Sequence, residues 1–99
     1  MSADALQLRR AVRVLLRQRG GTMLTTLPAC GVKLRVECTL ASRGASIDVS
    51  CEATVTAEDV DMIARFAPAV RMECDRARCR MDRFECAVPA TAEALPRAA

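Results

Sequence analysis

Cysteine is the residue type with the most chemical potential in this chain. Six cysteines are present and histidine is absent. Three of the cysteines fall in the arginine-rich stretch RMECDRARCRMDRFECAV, residues 71–88. Such a stretch could be a zinc knuckle, a disulfide-linked loop, a nucleic-acid clamp or a hairpin whose buried side carries cysteine.

The cysteine spacing favours a structural role over a metal site. No two cysteines are separated by only two residues, and no histidine could complete a mixed zinc site. Cys38, Cys51, Cys74 and Cys86 each continue an apolar alternation, where a thiol behaves as a small hydrophobic group. We predict core cysteines, with no metal and no other cofactor. The alternative is a zinc site built from Cys30, Cys74, Cys79 and Cys86.

The N-terminal segment bears on the redox state of these thiols. MSADALQLRRAVRVLLRQRGG lacks the apolar core and cleavage site of a secretory signal, and no stretch reaches membrane-spanning length. Thiols in the cytosol or nucleus are kept reduced. We therefore expect all six cysteines to be free and expect no membrane partner.

Catalytic chemistry has little support in the sequence. Without histidine, a cysteine or serine nucleophile lacks its usual base. The carboxylates alternate with arginine, a pattern typical of surface ion pairs, and no glycine-rich phosphate loop is present. We predict that the protein is not an enzyme and has no catalytic residues.

The composition predicts one small domain that associates with a partner. The chain has 99 residues, 52% of them hydrophobic, and its only aromatic side chains are two phenylalanines. A small aliphatic core gives marginal stability to a lone chain, which favours oligomerisation. The net charge of +3 is too modest to indicate a nucleic-acid partner.

The first positioning element is a predicted helix over Ala3–Arg19. Ser2 can cap its start, Gly20-Gly21 ends it, and Leu8 and Val12 belong to its apolar stripe. Three arginines fall on the opposite side and form a candidate anion-binding or partner-binding face: Arg9, Arg13 and Arg17.

Strand signals follow the helix. The apolar run Met23–Leu27 predicts a short edge strand that Pro28 ends. VKLRVECTL and SIDVSCEATV alternate strictly between apolar and polar residues, so they predict a hairpin with one buried and one solvated face. Residues 42–45 form its loop.

A second helix and a second hairpin complete the domain. Thr56 and Asp59 resemble a capping box, and Pro68 is expected to end the helix. In the last hairpin we expect two inward rows, with a bulge or a partly exposed strand start where Arg80 and Asp82 interrupt the second. The rows are Val70, Met72 and Cys74, then Phe84, Cys86 and Val88.

These elements predict an α+β fold in the order helix, strand, hairpin, helix, hairpin, tail. The expected sheet is antiparallel, with both helices on one face. Residues 1–88 would form a single domain, and residues 89–99 a flexible or exchanged tail.

Four segments carry a family resemblance: LRRAVRVLLRQ, SIDVSCEATV, VRMECDRA and RFECAV. Through them most of the chain resembles the adenovirus early-region-four open-reading-frame-three protein family. The resemblance implies a non-enzymatic viral early protein of the host nucleus. Such a protein dimerises through its sheet and polymerises by exchanging C-terminal segments. Its assemblies reorganise promyelocytic-leukaemia nuclear bodies and sequester DNA-damage and tripartite-motif proteins, which antagonises host antiviral responses.

The resemblance also assigns roles to residues. It implies that Phe84, Glu85 and Cys86 lie at the oligomer interface and that Val88 and Leu95 belong to the exchanged tail. The tail ends in Pro-Arg-Ala-Ala rather than a leucine-rich acidic close, so dimerisation is the firmer expectation.

Two other classes compete with a scaffold. A helix, three strands and a helix is also the order of double-stranded-RNA-binding modules, so a small basic nucleic-acid-binding domain is the second hypothesis. Those modules have a lysine-rich start to their last helix, whereas Thr56-Ala57-Glu58-Asp59 is acidic. We therefore expect no specific nucleic-acid partner. The third hypothesis is a zinc module.

Overall fold

A computed structural model describes residues 2–42, 44–52 and 55–85 of the chain. It contains three helices and a four-stranded sheet of order β1-β2-β3-β4. The predicted α+β class is confirmed. In chain order the elements are α1 (Ala3–Gln18), β1 (Gly21–Thr26), β2 (Lys33–Ala41), β3 (Gly44–Cys51), α2 (Ala57–Ala64), α3 (Ala67–Arg76) and β4 (Arg80–Glu85).

Helix α1 begins and ends where its caps predict. The Ser2 hydroxyl accepts a hydrogen bond from the Ala5 amide at 3.1 Å, and Asp4 places a negative charge in the positive first turn. Arg19 caps the C-terminus with φ +55°, just before the two glycines. The buried stripe of Leu8, Val12 and Leu15 follows helical spacing.

The hairpin of β2 and β3 also follows its sequence pattern. Val36 lies opposite Val49, and Cys38 opposite Ile47, all on the buried face of the sheet. β1 is an edge strand antiparallel to β2, as predicted. The capping box of α2 is present as well: the Thr56 hydroxyl accepts from the Asp59 amide at 3.1 Å.

The predicted strand at residues 70–75 is wrong. Pro68 lies in the first turn of α3, where its missing N–H costs nothing, so it starts a helix rather than ending one. Val70, Glu73 and Cys74 are buried at helical spacing, whereas Met72 is 53% exposed. The second hairpin is therefore replaced by a helix followed by a strand.

This helix changes the direction of the last strand. Because α2 and α3 carry the chain back along the sheet, β4 pairs with β3 in parallel rather than antiparallel. The sheet is mostly antiparallel, as expected, with this one parallel pair. The expected irregularity in the last strand is present: the register shifts between Ile47 and Asp48.

The core lies between one face of the sheet and the helices. α1 packs on β1 and β2, while α3 packs against α1 and β4. Leu8, Leu34, Ile47, Ile63 and Val70 are fully buried in the shared cluster. The opposite face of the sheet carries mostly exposed polar side chains.

Candidate functional site

A buried carboxylate joins the two helices that cover the sheet. Glu73 of α3 is 5% exposed and forms ion pairs with Arg9 and Arg13 of α1. Arg13 binds it in a two-pronged arrangement, Nε to Oε2 and Nη2 to Oε1, both at 2.9 Å. Arg9 donates its Nε to Oε1 at 2.9 Å and adds a second bond from Nη2. Such paired, charge-assisted bonds are among the strongest in proteins.

The electrostatic consequence is that the Glu73 carboxylate stays ionised in the folded protein well below neutral pH. Hydrogen bonds from Arg13 are the main cause that lowers the pKa of Glu73 to about 2. Burial opposes this change, but the hydrogen bonds and charges of Arg13 and Arg9 together outweigh it. The same contact raises the pKa of Arg13. One negative charge thus faces two positive ones at the α1–α3 junction.

This geometry divides the predicted arginine face. Arg9 and Arg13 point toward α3 and bind Glu73, so they do not lie on the outer side of α1, whereas Arg17 is exposed. The predicted strand at residues 70–75, with Val70, Met72 and Cys74 inward, puts Glu73 on the opposite, solvated side, and the local sequence gives no signal for this contact. A groove of about 260 Å³ remains beside the cluster. It is lined by Arg13, Leu16, Arg17, Glu73, Arg76 and Ala77.

The predicted oligomer residues are only partly within the described chain. Phe84 is half-buried and packs against the core from β4. Glu85 closes β4 and lies beside Ser50 of β3. Cys86, Val88 and Leu95 lie outside the described residues, as does the predicted tail at 89–99.

Three thiols from different elements meet in the core. Cys38 of β2, Cys74 of α3 and Cys79 before β4 are free and buried. Burial raises the pKa of each, and that of Cys74 to about 12, with Cys79 as its next largest influence. Of the predicted core cysteines, Cys38 and Cys74 are confirmed, whereas Cys51 is only partly buried and Cys86 lies outside the described residues. The raised pKa values keep the three buried thiols protonated near neutral pH.

The remaining described cysteines occupy two other environments. Cys30 is a free thiol near Asp4, and burial raises its pKa. Cys51 is disulfide-bonded, so the prediction of six free thiols is wrong. Its bonded partner lies outside the described residues. The alternation in the sequence places Cys51 in a strand, but it does not show which segment lies beside that strand. In the structure this segment is β4, which pairs with β3 in parallel.

Neither a metal centre nor a membrane span is found in this part of the molecule. Across residues 2–42, 44–52 and 55–85, no three histidine, cysteine or acidic side chains are arranged to hold a metal ion. Within the same ranges, none of the helices combines the length and the apolar character that a membrane span requires.

The face of the sheet opposite the helices carries a regular array of polar and charged side chains. Leu24 of β1 lies beside Arg35 of β2, and Thr22 beside Glu37. Arg35 contacts Glu37 at 3.4 Å and Glu52 at 3.3 Å, so charges of both signs pair on this face. Leu24 is 52% exposed among these polar groups.

Fold and surface together define a small α+β protein with a sheet covered on one face. No protein-family model, no curated protein and no solved structure matches this chain.

Proposed function

We propose that this protein is a non-enzymatic viral scaffold that associates with copies of itself through its sheet and binds host nuclear proteins. The resemblance described above supplies the biological setting: an adenoviral early protein of the host nucleus. Its targets would be promyelocytic-leukaemia nuclear bodies and DNA-damage and tripartite-motif proteins. Sequestering them would antagonise the antiviral response of the host.

The observation that supports self-association is the one-sided covering of the sheet. The described helices pack on one face only, and the other face exposes Leu24 among threonines and paired charges. Among the strands of the described residues, β1 and β4 lie at the two edges of the sheet, and exposed strand edges are the usual sites at which a sheet recruits another chain. A small aliphatic core gains stability from such association.

The test is the appearance of nuclear bodies in mammalian cells that express a tagged chain. We expect promyelocytic-leukaemia bodies to be reorganised into larger or elongated assemblies that contain the tagged protein. The matched variants are Leu95→Ala and a chain lacking residues 89–99, which should reduce higher assembly while leaving the dimer. Unchanged bodies, together with a monomer at micromolar concentration by light scattering, would refute the scaffold.

One observation favours a nucleic-acid-binding domain as the second candidate. The order of α1, β1, β2, β3 and α2 is the order of double-stranded-RNA-binding modules. Against it, Glu58 and Asp59 occupy the first turn of α2, where such modules place basic residues. Binding to duplex RNA should therefore be weak and be lost between low and physiological salt. Tight, structure-selective binding at physiological salt would favour this candidate.

A further inference from the structure

The two edges of the sheet differ in how well they are protected from pairing. β4 reads RMDRFE, and its pairing with β3 shifts register. Charged side chains and irregular pairing are the devices that keep an edge strand from joining another sheet. β1 reads GTMLTT, with no charged residue and no proline. Its six pairs with β2 run without a register shift.

The hydrogen-bond pattern identifies the main-chain groups that β1 presents outward. The Leu27 amide donates to the Val32 carbonyl at 2.8 Å, and these two residues continue the β1–β2 register by one step. In an antiparallel pair, hydrogen-bonded positions alternate along the strand. Odd-numbered residues of β1 therefore bond to β2, and the N–H and C=O groups of Thr22, Leu24 and Thr26 point away from it.

We propose that β1 is a homodimerisation edge, at which a second copy of this chain adds its own β1 antiparallel across a two-fold axis at Leu24. This inference names the surface for the self-association proposed above and rests on it. A two-fold axis perpendicular to the sheet keeps the helices of both copies on the same face. With the axis at Leu24, Leu24 pairs with its own counterpart, and Thr22 pairs with Thr26 of the second copy. All three outward positions of each strand are then used, giving about six new main-chain hydrogen bonds.

The side chains along this edge suit contact with an identical strand. On the open face, the two copies of Leu24 meet directly, and each is 52% exposed in the single chain. The dimer pairs threonine with threonine and leucine with leucine, which are favourable cross-strand pairs, and it brings no like charges together. The strand is therefore complementary to itself.

The helix side of the same edge offers a second apolar contact. The Gln7 amide of α1 donates to the Thr25 hydroxyl of β1 at 3.0 Å, which places that row of the helix over the edge. Val14 lies two turns further along the same row and is 36% exposed. Pairing of two β1 strands brings the two α1 helices side by side, with Val14 facing the partner helix.

The test compares three variants of the full chain by analytical ultracentrifugation over a range of concentrations. Leu24→Asp puts two like charges opposite each other at the axis. Leu24→Pro removes an outward N–H without touching the bonds to β2, and proline is tolerated on an edge in this orientation. The matched control is Leu40→Asp, because Leu40 is a similarly exposed leucine, at 57%, near the end of β2.

We expect the wild-type chain and Leu40→Asp to sediment as dimers, with twice the 10.7 kDa of one chain. Both Leu24 variants should raise the dissociation constant by up to about a hundredfold, on the order of no longer burying the exposed half of two leucine side chains, while circular dichroism stays unchanged. Dimers that persist in both Leu24 variants would overturn the β1 interface and leave the proposed self-association standing. Dimers lost only on removing residues 89–99 would assign the interface to the tail instead. A monomeric wild-type chain would overturn both proposals.

Discussion

Glu73→Gln is the substitution that tests the helix junction most directly. The folded protein holds the pKa of Glu73 at about 2, against an ordinary value of 4.5. At about 1.36 kcal/mol per pKa unit, this difference corresponds to roughly 3 kcal/mol of stability near neutral pH. Removing one member of a buried ion pair costs about 3–5 kcal/mol. Because Arg13 is 42% exposed and can be solvated, we expect the lower end of that range.

The ionised Glu73 carboxylate makes the free energy of unfolding depend on pH. The folded-state pKa of Glu73 lies below its unfolded value, so its stabilising contribution is complete above about pH 4.5. That contribution is lost as the pH falls from about 4.5 to about 2, because the unfolded chain then binds a proton that the folded chain does not. In Glu73→Gln this part of the acid destabilisation should be missing.

Urea unfolding at pH 7, 5, 4 and 3 measures both effects. Glu37→Gln is the matched control, since Glu37 makes an exposed 3.4 Å ion pair with Arg35 that should contribute less than about 1 kcal/mol. A Glu73→Gln variant that is no less stable than Glu37→Gln at pH 7 would show that the Glu73 ion pairs do not stabilise the helix junction. The same conclusion would follow if the two variants lost stability in parallel between pH 5 and pH 3.

Burial raises the pKa of the Cys74 thiol to about 12, so we expect this thiol to stay unalkylated in the native protein at pH 8. Denaturation without reductant should make Cys74 reactive and leave the disulfide-bonded Cys51 unlabelled. Peptide mass spectrometry measures both labels, and a labelled Cys51 would contradict the disulfide. Asp4 is 2% exposed and accepts a hydrogen bond from the Ala29 amide at 2.7 Å. Asp4→Ala should therefore lower the free energy of unfolding in urea by about 1–3 kcal/mol, whereas Asp61→Ala, at an exposed position, should change it little. Equal losses in the two variants would contradict the role of Asp4.

The elements that the sequence predicts well are those whose period repeats over enough residues. α1 shows its apolar stripe over four turns, between a serine cap and two glycines. β2 and β3 alternate strictly, because one face of each is buried and the other solvated. In both cases the local pattern and the tertiary environment agree.

At residues 70–75 the period of the apolar residues does not distinguish a helix from a strand. Over six residues, a strand and a helix both bury Val70 and Cys74, and the two interpretations differ only in whether Met72 or Glu73 faces inward. Hydrophobicity favours Met72 as the buried residue. The structure instead buries Glu73, which forms ion pairs with Arg9 and Arg13 of α1. A long-range ion pair therefore stabilises the buried position of Glu73, and the apolar pattern of the segment does not reveal it.

The same contact determines which parts of the molecule are free to meet a partner. Since Glu73 occupies Arg9 and Arg13, two of the three arginines of the predicted anion face stabilise the helix layer. Arg17 stays exposed beside the groove next to this cluster. The opposite face of the sheet and the β1 edge are exposed as well, and β1 itself carries no charged residue. With the charged β4 at one edge of the described sheet and the uncharged β1 at the other, any sheet-mediated association is directed to the β1 edge, which permits a closed dimer and disfavours an open-ended stack.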